Sequence, residues 1–235
     1  MLRITVSKLL FLTLALLAAW PAAANSPYNY RTVVIDGGPT DLSTAYALDD
    51  VARASIGYHH ATAQAPQLWF GFDGKYGDKV KVQIGVPQLE RYRALRPLVA
   101  VVGPGMPAPD QPLPFTLPAG YGALIYDTAA QSVENYTESL TGTTSWRYAS
   151  EDFYLPAAGA SYVVAFTPNG EDGKFWLAVG EKRSFRFVDL FTINQTTQKI
   201  RAFFEMPATV SVVFWSQLLA VFMLVFLAIF AVSPH

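Results

Sequence analysis

Apolar and polar positions alternate with a period of two in a series of short runs along this chain. In 79–86 (KVKVQIGV), Val80, Val82, Ile84 and Val86 fall on one face and Lys79, Lys81 and Gln83 on the other. Successive side chains of a strand point to opposite faces, so this is the pattern of a half-buried strand. In the preceding run QLWFGFD, Leu68, Phe70 and Phe72 alternate in the same way, and GKYGD between the two runs is turn material. Together they predict an antiparallel hairpin. A second hairpin is predicted from Tyr162, Val164 and Phe166 against Phe175, Leu177 and Val179. The joining PNGEDG is rich in Gly and Asn, which tolerate positive φ. Further strands are predicted at 52–59, 98–103, 122–127 and 145–150. Short, frequent strands between Gly- and Pro-rich turns predict an all-β domain, a jelly-roll-like antiparallel β-sandwich.

Three segments leave this pattern. Asp41 followed by LST predicts a capped short helix with Ala45, Leu48 and Ala52 on one stripe. Residues 103–118 (GPGMPAPDQPLPFTLP) are Pro-rich and predict an extended loop. Residues 187–205 read equally as a helix or a strand.

The ends have a different pattern. Arg3 and Lys8 precede an apolar stretch over 9–20, Pro21 breaks it, and Ala22, Ala23 and Ala24 are small. That is the layout of a signal peptide cleaved before Asn25. Residues 208–232 (ATVSVVFWSQLLAVFMLVFLAIFAV) contain no ionisable side chain. At about 1.5 Å per residue a helix of this length spans a hydrocarbon core of ~30 Å with some tilt. Only a helix satisfies its own backbone there. The expected organisation is therefore a signal peptide over 1–24, a sandwich over 25–187 and a membrane-proximal connector over 188–207. A transmembrane α-helix over 208–232 and a cytoplasmic tip over 233–235 complete it. The sandwich is expected on the extracytoplasmic side, periplasmic or at the cell surface. Ser211, Ser216 and Gln217 are the strongly polar residues of the span, placed to hydrogen-bond a second membrane protein at about 1 kcal/mol per bond.

Composition changes this picture in three places. The 51% hydrophobic and 15% charged content is accounted for by the two apolar ends. With Arg3 and Lys8 set aside, 15 bases face 18 acids, a net of −3. A weakly acidic surface disfavours nucleic acid, whose binding needs basic groups to displace counterions. There is no cysteine, so disulfides, thiolate metal sites and cysteine nucleophiles are excluded.

The phrases 155–166 (LPAAGASYVVAF) and 173–181 (GKFWLAVGE), with the aromatic strand at 68–73, the Gly77-Asp78 turn and the apolar strand at 80–86, carry a family likeness. They resemble the jelly-roll sandwich of bacterial pre-peptidase C-terminal domains. They are similar too to a group of exported, membrane-anchored bacterial and archaeal proteins ending in a GKYxLAxGE strand. The Pro-rich loop and the Arg-containing stretch after Pro87 depart from the pre-peptidase pattern. The shared motifs are structural, so the resemblance implies a fold and assigns no functional residue.

Chemistry-bearing groups are sparse. No G-x-S-x-G, H-E-x-x-H or phosphate-loop motif occurs. His59 and His60 are the histidines of the predicted sandwich and the metal candidates, each with a carboxylate. Adjacent on a strand they point to opposite faces, so one site takes one of them. Arg91, Arg93 and Arg96 form a basic cluster; Arg91 and Arg93 share a face if extended and would grip an anionic ligand. Trp69 and Trp176 lie opposite their neighbours' core stripes, where exposed aromatics suit sugar or protein contacts. Asp49–Asp50 and Glu151–Asp152 are close acidic pairs for glycosidase-type chemistry. Asn169, Glu171 and Asp172 offer hard oxygens for Ca²⁺ without an EF-hand pattern. The expected function is a non-enzymatic, membrane-anchored binding or accessory protein without a cofactor, a subunit of a membrane complex. A surface glycan-binding protein and a carboxylate-dependent hydrolase are the alternatives.

Overall fold

The computed structural model describes residues 30, 32–35, 41–183, 189–208 and 223. The predicted signal peptide lies outside them, as do Ser211, Ser216, Gln217 and nearly all of the predicted span. Among the described residues no helix is long and apolar enough to cross a membrane.

Twelve strands are described: β1 (Thr32–Ile35), β2 (Tyr46–Ala47), β3 (Ser55–Ala61), β4 (Gln67–Gly74), β5 (Lys79–Pro87), β6 (Leu98–Pro104), β7 (Tyr121–Asp127), β8 (Val133–Thr137), β9 (Thr144–Tyr148), β10 (Glu151–Tyr154), β11 (Gly159–Phe166) and β12 (Gly173–Val179). A helix, α1 (Asp189–Phe203), follows them. The strands form two sheets that stack as a β-sandwich. One sheet runs β1-β3-β12-β5-β9-β8, with β10 pairing β5 beside β9; the other runs β2-β4-β11-β6-β7. The free edge of β5 is divided, since β10 pairs Lys79 to Val82 and β9 pairs Gly85 to Pro87.

Both predicted hairpins are corrected. β4 and β5 lie in different sheets, and so do β11 and β12. Their turns carry the chain across the sandwich rather than back alongside itself. Leu68, Phe70 and Phe72 on β4 and Val80, Val82 and Ile84 on β5 meet across the core. Period-two alternation says which face is buried. It does not say whether the next strand pairs alongside or stacks opposite. The sheets are also not purely antiparallel: β1 joins β3, and β2 joins β4, in parallel.

Only a 3₁₀ turn, Leu42–Thr44, forms where a longer helix was predicted. The Asp41 carboxylate caps it, accepting from Ser43 N at 2.8 Å and Thr44 N at 3.0 Å. Tyr46 and Ala47 then pair with Phe70 and Gly71, so the edge of the sheet outcompetes helix propagation.

Two further layers cover the outer faces. On β11 the inward residues are Val163 and Ala165, and the predicted stripe Tyr162, Val164 and Phe166 points outward. The Pro-rich segment straps that face. Phe115 packs edge-on against Trp69 at 4.7 Å and Phe166 at 5.6 Å, and Ala123 N donates to Pro107 O at 2.9 Å. A Cβ on Gly122 would fall 2.1 Å from Pro107 O, so the strap crosses where a side chain is missing. On the other sheet, Ile200, Phe203 and Phe204 at the end of α1 pack on Ile56, Tyr58, Trp176 and Ala178. The connector is thus helical over Asp189–Phe203, and its last turn is docked on the sandwich. Strands covered on both faces read as continuous apolar runs, which is why β6 (LVAVVGP) shows no alternation.

Candidate functional site

The residues singled out by sequence are mostly committed to the fold. Trp69 is 1% exposed beneath the Pro-rich strap and Trp176 is 6% exposed beneath α1, so neither forms an aromatic surface. Their indoles are satisfied internally, Trp69 Nε1 donating to Gln67 Oε1 at 2.7 Å and Trp176 Nε1 to Ser145 Oγ at 3.0 Å. His59 and His60 do point to opposite faces. His59 is buried against Phe175 with Nε2 2.8 Å from Ala65 O, while His60 Nε2 lies 3.0 Å from Asp172 Oδ1. Among the described residues no three His, Asp or Glu side chains converge to hold a metal ion. In the acidic turn, Asn169 Nδ2 donates to Glu171 Oε1 at 3.1 Å, so Asn169, Glu171 and Asp172 serve local contacts.

The arginine cluster is also corrected. Glu90–Tyr92 is a 3₁₀ turn with Arg93 at its C-cap, so Arg91 and Arg93 do not share the face of an extended strand. Arg91 pairs with Glu205, and Arg93 with Glu90 at 3.2 Å. Arg96 donates to the Arg93 and Leu95 carbonyls, each at 3.0 Å. Each guanidinium has its own acceptor, and they do not converge.

What remains is a polar groove of about 630 Å³ at one end of the sandwich. Three segments build it: the β2–β3 connection at 49–53, the β4–β5 crossing at 73–81, and 180–182 after β12. Their backbones are tied together. Glu181 N and Lys182 N both donate to Ala52 O, at 3.0 and 2.8 Å, Ala54 N donates to Lys182 O at 3.0 Å, and Gly180 N donates to Lys81 O at 2.8 Å. Gly180 has φ +80°, and a Cβ there would sit 2.6 Å from the Val51 and Arg53 carbonyls. Only glycine both reaches this conformation and lets the strands approach so closely.

Five carboxylates and five basic side chains line the groove. Glu181 stands between Lys79 at 2.5 Å and Lys81 at 3.3 Å, and Asp152 lies 3.6 and 3.9 Å from the same lysines. Hydrogen bonds from Lys79 and then Lys81 hold the Glu181 carboxyl below its ordinary range, and the bond to Glu181 raises Lys79. Arg53 answers Asp49 at 3.7 Å and Asp50 at 3.5 Å. The acidic pairs of the sequence are therefore interleaved with bases. The side chains of Asp73, Lys75 and Lys182 make no hydrogen bond or ion pair among the described residues.

No family model and no curated protein matches the chain. Among solved structures it is similar to the pre-peptidase C-terminal domain of a collagenase from Bacillus anthracis. That match has a TM-score of 0.30 and 10% identity, over 61% of this chain and 98% of that one. It is similar to a periplasmic inhibitor of g-type lysozyme from Aeromonas hydrophila, at TM-score 0.30 and 14% identity over 63% and 97%. A surface-associated copper-binding protein from Methylomicrobium album BG8 matches at TM-score 0.29 and 9% identity, over 63% and 99%. Copper and lysozyme are attributes of those proteins.

Beside the groove's sheet, a second charge cluster fixes the end of α1. Glu205 N donates to Ala202 O at 3.0 Å and Met206 N to Arg201 O at 2.9 Å, the two bonds of a Schellman motif. Glu205 occupies its left-handed position at φ 59°, where glycine is usual. Its carboxylate is bonded to Lys174, at 2.9 Å, and to Arg91, in that order of effect, and is held below the usual 4.5. A folded-state value depressed below the unfolded one stabilises the fold above about pH 4.5. That stabilisation is lost as pH falls through the folded value. The melting difference between wild type and Glu205→Gln is thus expected to be largest near neutral pH and to close as pH falls through the depressed folded value. A difference that stays constant from pH 7 to pH 3 would show that the ion pairs do not carry it.

The groove was not legible in the sequence. Its residues come from segments far apart in the chain, and each segment alone reads as a solvated turn.

Proposed function

We propose that this chain is an extracytoplasmic binding module, tethered to the membrane by residues 208–232, that receives its ligand at the charged groove. The observation that carries the reading is that groove. It is the place where polar side chains from three rigidly joined segments converge, while Trp69, Trp176, His59, Arg91, Arg93 and Arg96 are occupied elsewhere. Its rim is tied down by backbone hydrogen bonds, so the site is formed before a ligand arrives. The strand order β3-β12-β5-β10 against β4-β11-β6-β7 supports a jelly roll, a fold whose end loops are free to carry such a site. A carboxylate hydrolase is the weaker reading. An acid catalyst must hold a proton near neutral pH, whereas Glu181 is kept ionised between two lysines.

The test is topological. Expressed at full length in a bacterial envelope, the chain is expected to stay in the membrane fraction through an alkaline wash. In spheroplasts, external protease should remove the 25–207 domain. A chain ending at Pro207 should be released to the soluble extracytoplasmic fraction. A domain protected from external protease, or a shortened chain that remains membrane-bound, would overturn the tethered arrangement.

A further inference from the structure

We infer that the groove binds a neutral polyhydroxylated ligand, a glycan, with Tyr76 and Tyr154 as its aromatic rim; this rests on the binding reading above and names the ligand class. Three observations lead to it. The first is charge balance. Five carboxylates and five basic side chains balance in the lining, and Asp152 beside Lys79 and Lys81 leaves the cluster within one charge of neutral. A groove so nearly balanced has little net field with which to concentrate an anion or a cation. A hydroxyl both donates and accepts, so a row of hydroxyls meets interleaved carboxylates and ammonium groups equally well.

The second observation is where the exposed aromatics are. The described aromatic side chains are largely packed away, yet Tyr76 is 80% and Tyr154 is 62% exposed. Neither ring is part of the lining, but each residue adjoins it. Tyr76 lies between two lining residues, Lys75 and Gly77. Tyr154 is the register partner of Lys79, another lining residue, and shares an outward face with Asp152. The turn that presents Tyr76 is fixed by Lys75 N to Asp78 Oδ2 at 2.8 Å, Asp78 N to Lys75 O at 3.0 Å and Gly77 N to Leu155 O at 2.9 Å. A flat ring held at a rim offers its face to the C–H side of a sugar ring and loses little entropy in doing so.

The third observation is what the groove lacks. Val51 and Ala52 are the apolar side chains among its lining residues, so there is no deep apolar pocket to seat the anchor of a protein partner. The polar groups, by contrast, have capacity left. Asp73, Lys75 and Lys182 are uncommitted side chains, and exposed ion pairs such as Arg53–Asp50 are weak enough to be exchanged for ligand hydroxyls.

The experiment uses the full chain in a non-glycosidic detergent. The probes are neutral gluco-, manno-, galacto- and N-acetylglucosamine oligosaccharides, sulfated oligosaccharides, and acidic and basic peptides. Binding is followed by saturation-transfer NMR and by titration. At least one neutral oligosaccharide is expected to bind. The double variant Tyr76→Ala/Tyr154→Ala should weaken it roughly tenfold or more, as loss of aromatic anchors does, and Asp73→Ala/Lys182→Ala should weaken it with the melting temperature unchanged. Failure of every neutral oligosaccharide, or an affinity indifferent to both variants, overturns the glycan assignment. If a charged probe binds instead and is lost in Asp73→Ala/Lys182→Ala, the ligand class is wrong and the binding groove stands. If no probe of any class binds in a groove-dependent way, both fall.

Discussion

Replacing Trp176 by alanine is expected to destabilise the domain by about 3–5 kcal/mol, the usual cost of emptying a large buried aromatic site. Trp176 is sandwiched between β5 below and the last turn of α1 above. Its ring lies over Gly85, its register partner, where a Cβ would come within 2.4 Å of the indole. On its other side it packs with Ile200, Phe203 and Phe204. The indole therefore fills the gap left by one residue and is the surface on which the helix rests. With a total stability of roughly 5–15 kcal/mol for a typical domain, this loss is a large fraction of the whole. Denaturant unfolding of the full chain measures it, and limited proteolysis should show new cleavage within 189–206. Trp176→Phe keeps most of the packing and gives up the bond to Ser145, so about 1 kcal/mol is expected beyond the lost area. If Trp176→Ala costs less than about 1 kcal/mol, the helix is held by other contacts.

The second large effect is expected at Arg201. Its side chain is buried and acts as a three-way clamp. Nη1 donates to Thr141 O, while Nε and Nη2 donate to Pro207 O at 3.1 and 3.0 Å. The loop it reaches is itself built on a buried carboxylate, with Glu138 accepting from Thr141 N at 2.6 Å and Thr141 Oγ1 at 2.8 Å. Arg201→Met retains the apolar stem and removes the fork, leaving two carbonyls without their charged donor. A cost of about 2–3 kcal/mol is expected from bonds of this type. Arg201→Lys should recover part of it, because one ammonium does not reproduce a planar fork. Hydrogen exchange separates this from general loosening. Protection should fall first at 140–143 and at 204–206, and β6 and β11 should keep theirs. Uniform loss across the sheets would mean that Arg201 supports the whole core and not the exit of the chain at Pro207.

Eight of the described strands, β3 to β7, β9, β11 and β12, and the core faces of β4, β5 and β12 are legible in the sequence, whereas the core face of β11 and the strands β1, β2, β8 and β10 are not. Val80, Val82, Ile84 and Val86 alternate with lysines, and Phe175, Leu177 and Val179 alternate around Trp176, because a pleated chain half-buried on a core has no other stable pattern. The sequence also placed Trp69 and Trp176 opposite the core and sent His59 and His60 to opposite faces. Those are local consequences of backbone geometry, and local information is enough for them. What lies over each face, and which strand neighbours which, is set by packing between segments far apart in the chain. The turns at 75–78 and 168–172 look like hairpin turns, yet each crosses between sheets, since a turn residue specifies a change of direction and not a partner. Both tryptophans became core because the Pro-rich strap and α1 cover faces that would otherwise be wet. The groove exists because β12, the β2–β3 connection and the β4–β5 crossing end at the same place. Lys79 and Glu181 are 102 positions apart in the chain and 2.5 Å apart in space, and no pattern of neighbouring residues encodes that contact.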